Sequence, residues 1–99
     1  MKALLTAGYG AGFSEWNNPH LAVDQRVVEA FEKNPEMSVD EFKSMCESFG
    51  YHDVMVLPGD LEVMQVVEAP EGKYFKIAAY DGWEYIEVFD PDSGEWFHS

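Results

Sequence analysis

Gly8, Gly10 and Gly12 fall within the stretch Thr6-Ala-Gly-Tyr-Gly-Ala-Gly-Phe-Ser-Glu-Trp-Asn17, directly after the apolar run Ala3-Leu-Leu5. Glycines after such a run can let backbone amides close on a phosphate, the chemistry of a dinucleotide or P-loop site. The spacing does not support it. Gly8-Tyr-Gly10 supplies G-x-G, but Phe13 stands where the last glycine belongs, and no lysine follows as a P-loop requires. Two readings are left. In one, amides and aromatic faces at Tyr9, Phe13, Ser14, Trp16 and Asn17 hold a compact nucleotide or metabolite. In the other, the glycines permit positive φ or close backbone approach, and Phe13 and Trp16 plug a packed connector onto the body.

Other reactive residue types form no constellation. Cys46 lies on the helical stripe of Phe42 and Phe49, so it reads as a small core hydrophobe rather than a nucleophile served by His20 or His52. Ser14 lacks the surroundings of a nucleophile elbow. His20, His52 and His98 have no metal-ligand spacing. Asp90-Pro-Asp-Ser-Gly-Glu95 places its glycine fifth and ends before the glutamate of a calcium loop, so it reads as a type I turn. With nineteen acids, two neighbouring carboxylates are expected by chance and single out no glycosidase pair. The sequence assigns no catalytic residue, metal or cofactor, and an enzyme is the third-ranked function.

Charge is the most unusual global property. Nineteen acids against six basic residues give a formal net charge of -13 in 99 residues. Ten of the acids, with two lysines, lie from Pro58 onward. That field repels nucleic acid and anionic membrane and attracts basic partners. The hydrophobic content of 46% and aromatic content of 15% distinguish the chain from an acidic disordered tail and suit one domain spanning residues 1–99. Absence of a long apolar run or a leader pattern, and a lone cysteine, point to a cytoplasmic protein.

The elements that must position any site can be read from periodicity and punctuation. Asn18-Pro19 opens a helix predicted to run to about Lys33, with Leu21, Val23, Val27, Val28, Ala30 and Phe31 on one stripe and Asn34-Pro35 ending it. Ser38-Val-Asp-Glu41 is a capping box for a second helix, which Gly50 terminates. From Tyr51 the period falls to two. Strands are predicted at 52–57, 61–68, 73–80, 83–89 and 95–98, after an opening strand. The expected fold is therefore α+β, with two consecutive helices packed on a four- to six-stranded, mainly antiparallel sheet in the order β-α-α-β-β-β-β-(β).

Asp81-Gly82 signals a two-residue hairpin turn, which sets Tyr80 opposite Trp83 and Tyr74 opposite Phe89. Phe75, Ile77, Ile86 and Val88 then share an aliphatic core face, with Met64 and Val66 extending it. Tyr74, Tyr80, Trp83, Tyr85 and Phe89 share the other face, around a Lys76–Glu87 pair and beside Val63, Gln65 and Val67. Asp81, Glu84, Glu87 and Asp90 are expected at its rim. Aromatic anchors within a charged rim are the composition of a binding surface. Covering by a helix or the opening segment, and pairing of two copies in a homodimer, are the competing uses of this face.

The segment Tyr9-Gly-Ala-Gly-Phe-Ser-Glu-Trp-Asn17, with Ala22, Asp24 and the Tyr80-Asp-Gly82 turn, resembles short acidic bacterial and phage-encoded proteins carrying a Y-G-A-G-[FW]-S-x-W-N segment. The resemblance spans about half the chain and brings no activity with it. It implies a mobile-element setting, in which carboxylates imitating phosphates would engage nucleic-acid-binding machinery. The leading expectation is a non-catalytic acidic interaction protein that binds a protein partner, a basic one by charge. Its alternative is a small-ligand domain built on residues 8–17.

Overall fold

The structure, a computed structural model, describes residues 1–8, 13–80, 83–89 and 97–98. Their order is β1 (Lys2–Thr6), α1 (Phe13–Trp16), α2 (Pro19–Val23), α3 (Gln25–Lys33), α4 (Val39–Ser48), α5 (Pro58–Glu62), β2 (Met64–Glu68), β3 (Tyr74–Tyr80), β4 (Trp83–Phe89) and β5 (Phe97–His98). The α+β class is as expected, but the sheet is not single. β1 pairs antiparallel with β2, while β4, β3 and β5 form a second antiparallel sheet, joined to the first by one bridge between Ala7 and Trp83.

β1 explains the layering. Its side chains are buried on both sides from Ala3 to Thr6, and alternate residues enter different cores. Leu4 joins Phe13, Leu21, Val27, Val28, Phe42 and Cys46 under the helices. Ala3 and Leu5 meet Phe75 and Val23 on the other side, with Val67, Ile77, Ile86 and Phe97 packed around them. The helices thus cover one face of β1–β2 and the β3–β4 hairpin covers the other. The outer face of the hairpin is left outside both cores.

The hairpin register is as read from the sequence, from Tyr80 opposite Trp83 to Tyr74 opposite Phe89. The Asp81-Gly82 turn and the Asp90–Glu95 turn themselves lie outside the described residues. Val88 departs from its predicted core role, being 45% exposed. Met64 is buried and Val66 packs on the helical core, as predicted for the core side. Their strand, however, lies against β1 rather than β3. Lys2 faces Glu68 and Leu4 faces Val66 in that pairing, and Val67 turns into the second core instead of standing beside the aromatics.

Three further differences have identifiable side-chain causes. The predicted helix 19–33 breaks at Asp24, whose extended backbone (ψ 112) and side chain cap α3 through the Arg26 amide at 3.0 Å. Residues 52–57 alternate as a strand would, with Val54 and Val56 buried and Met55 and Leu57 exposed, yet form no ladder. The Asn17 side chain takes a strand's place there, accepting from the Met55 N–H and donating to its carbonyl, both at 2.8 Å. At Pro58-Gly59-Asp60, read as a turn, the chain enters α5 instead. The buried Asp60 carboxylate accepts the Leu57 amide at 2.9 Å, and the Asp60 amide donates to the Leu57 carbonyl. The second long helix needs no revision: both bonds of the Ser38–Glu41 capping box are present, and Gly50 adopts φ 96.

Candidate functional site

Seven-residue strands β3 and β4 bring every second side chain to the outer face of the hairpin. Tyr80 and Trp83 form its first cross-strand pair, Ala78 and Tyr85 the next, and Lys76 and Glu87 the third. Tyr80 is 68% exposed, Tyr85 47% and Trp83 43%, with Tyr74 at the edge of exposure and Lys76 and Glu87 in solvent. Ala78, small and half-buried, lowers the surface between the rings. Neither a helix nor the opening segment removes these aromatics from water. The arrangement offers stacking surface and tyrosine hydroxyls together with carboxylate acceptors, which is the equipment of recognition rather than of bond making.

Glu84 is the residue the sequence reading misplaced. It is 2% exposed, and its place opposite Ala79, on the side of Phe75 and Ile77, makes it an inward residue rather than a rim acid. One carboxylate oxygen accepts from the Thr6 amide and the Thr6 hydroxyl, each at 2.9 Å. The other accepts from the Ser14 amide at 2.8 Å and from the Ser14 hydroxyl. Four donors from β1 and α1 thus converge on an acid of β4, between Trp83 and Tyr85 in the chain. A buried carboxylate is tolerable only with such satisfaction. Strand parity carried the signal, because a charged residue on the core face of a hairpin requires partners of this kind.

The loop residues grouped as a ligand pocket have separate tasks. Phe13 is fully buried and packs edge-on to Phe42, with ring centroids 5.6 Å apart. Ser14 is held by Glu84, and Asn17 is divided between Met55 and the Phe13 carbonyl. Trp16, expected to plug the loop, is instead 45% exposed. Tyr9 lies outside the described residues. A Cβ at Gly8 would stand 3.1 Å from the Val63 side chain, so at this position glycine serves close packing. A surface groove of about 360 Å³ runs elsewhere, between Pro35–Val39 and Leu61–Glu62, and contains none of these residues.

Cys46 is fully buried and its thiol is pushed up to about 12, chiefly by burial, so it is a protonated core side chain at neutral pH. A second polar network joins the α2–α3 junction at Asp24 to the segment after α4. Arg26 clasps the Asp24 carboxylate at 2.7 and 3.0 Å, the Tyr51 hydroxyl donates to it at 2.8 Å, and the guanidinium lies 4.7 Å from the centroid of Phe49. Arg26 hydrogen bonding holds Asp24 down at about 2, against an ordinary 3.8, with Tyr51 assisting. Burial, then the bond to Asp24, pushes Tyr51 up to about 12. This network binds helices together and exposes no reactive group.

No family model, curated protein or solved structure matches the chain. Among the described residues, no helix is long and apolar enough to cross a membrane.

Proposed function

We propose that this chain is a non-catalytic interaction protein whose outer β3–β4 face binds a basic polypeptide. The observation that carries the reading is the exposure of Tyr74, Tyr80, Trp83 and Tyr85 together on one sheet face of a chain with net charge -13. Exposed rings favour a partner that desolvates them, and the charge selects which partner arrives. Two copies meeting through this face would bring together two bodies of the same high charge. A cationic segment gains from the same field. Carboxylates displayed on a small body also suit a partner whose own ligand is a polyanion, such as a nucleic-acid-binding protein. The 8–17 loop is the poorer candidate, since Phe13, Ser14 and Asn17 are already spent on internal contacts.

The test is calorimetric titration with a synthetic basic peptide containing both lysine and arginine, at about 0.05 M and about 0.5 M salt. Affinity should fall steeply with salt, and Trp83→Ala should weaken it at both. Binding indifferent to salt, or undiminished in Trp83→Ala, contradicts the proposal.

A further inference from the structure

We infer that the outer face of β3–β4 is an arginine-selective site, taking a guanidinium of the partner segment between the rings of Trp83 and Tyr85, within reach of Glu87. This rests on the preceding reading of the face and adds the chemistry of what it recognises. Alternate residues on a strand stand about 6.8 Å apart. A flat group in contact with a ring on each side needs two van der Waals contacts of about 3.5–4.0 Å each. Rings at alternate positions of a strand, as Trp83 and Tyr85 are, therefore suit a planar cation between them better than a tetrahedral ammonium. Ala78, opposite Tyr85, keeps the space above the sheet open, and Glu87 stands one step further along the same face. A guanidinium can stack on a ring and fork onto a carboxylate at once, whereas lysine offers a hydrated point charge.

The chain contains its own example of that chemistry. Arg26, its one arginine, is paired with Asp24 and laid over the Phe49 ring at 4.7 Å from the centroid. The outer face repeats the ring-and-carboxylate set, but the cation on it is Lys76, the cross-strand neighbour of Glu87. An arriving guanidinium meets Glu87 next to its cross-strand neighbour Lys76 and adds stacking that lysine does not supply. The net charge of -13 makes a cationic polypeptide the occupant in preference to a second copy.

Two synthetic peptides of equal length and charge test this, one alternating arginine with serine and the other lysine with serine. Calorimetry at low salt should show the arginine peptide binding roughly tenfold more tightly. Trp83→Ala and Tyr85→Ala should each remove the preference while leaving a weaker, salt-sensitive affinity for both peptides. Far-UV circular dichroism checks each variant for the native fold, and Tyr85→Ser replaces any that loses it. Equal affinity for the two peptides, or a preference that survives both ring deletions, overturns the arginine site alone. Failure of both peptides to bind overturns it together with the basic-partner reading beneath it.

Discussion

At the scale of single residues, Glu84 and Asp24 show an acid used in two ways. Glu84 is an acceptor for four donors that have been taken from water, two of them backbone amides that cannot rotate away. Glutamine would turn an N–H toward one of these donors. Glu84→Gln should therefore cost about 2 kcal/mol, read as a lower urea midpoint with an unchanged slope. Asp24 behaves differently because its carboxylate is stabilised as an ion. Its folded pKa of about 2 lies below the ordinary 3.8, so its contribution is complete above about pH 4 and is lost as pH falls through about 2. The contribution is on the order of 1–2 kcal/mol, reduced by solvent screening of Arg26, which is 59% exposed. The stability gap between the protein and Asp24→Asn should accordingly narrow as urea titrations move from about pH 5 to about pH 2. A gap that stays constant over that range would remove the Arg26 and Tyr51 contacts as its source.

At the scale of elements, side chains decide where strands and helices stop. Asn17 pairs with Met55 as a neighbouring strand would, and so fixes an extended segment that belongs to no sheet. Asn17→Ala should destabilise by about 1 kcal/mol, since water can reach the released groups, and the Met55 amide should exchange faster than its surroundings. Such long-range substitutions are what the sequence pattern could not supply. Residues 52–57 have a strand's alternation, but nothing local says that an asparagine almost forty positions earlier occupies the pairing edge. At Pro58-Gly59-Asp60 the signal was local but ambiguous, since Pro and Asp suit a turn as well as a helix start, and the Asp60–Leu57 bond decides for α5. By contrast, the Asp81-Gly82 signal predicted every pair of β3–β4, and Ser38 with Glu41 the start of α4, because those signals are both local and specific. The candidate face was legible for the same reason. Glu84 was misplaced at the rim although its parity with Phe75 and Ile77 marked it as inward, and its partners on β1 and α1 carry no local signal.

At the scale of the whole molecule, the division of labour among layers matters most. β1 is buried on both sides, the helices fill one side of it and the inner face of the hairpin fills the other. This construction leaves the aromatic face exposed while satisfying both cores. With charge -13 on each copy, the chain should sediment as an 11.3 kDa monomer at low salt and neutral pH. A mass near twice that value would instead assign the aromatic face to a homodimer. Whether this face receives a basic polypeptide is decided by residue-resolved NMR of the full chain during titration with the arginine–serine peptide. Shifts should concentrate at Tyr74, Ala78, Tyr80, Trp83, Tyr85 and Glu87, including the Trp83 indole N–H. Shifts centred on Trp16 and the Pro35–Val39 groove, with β3 and β4 unmoved, would contradict it.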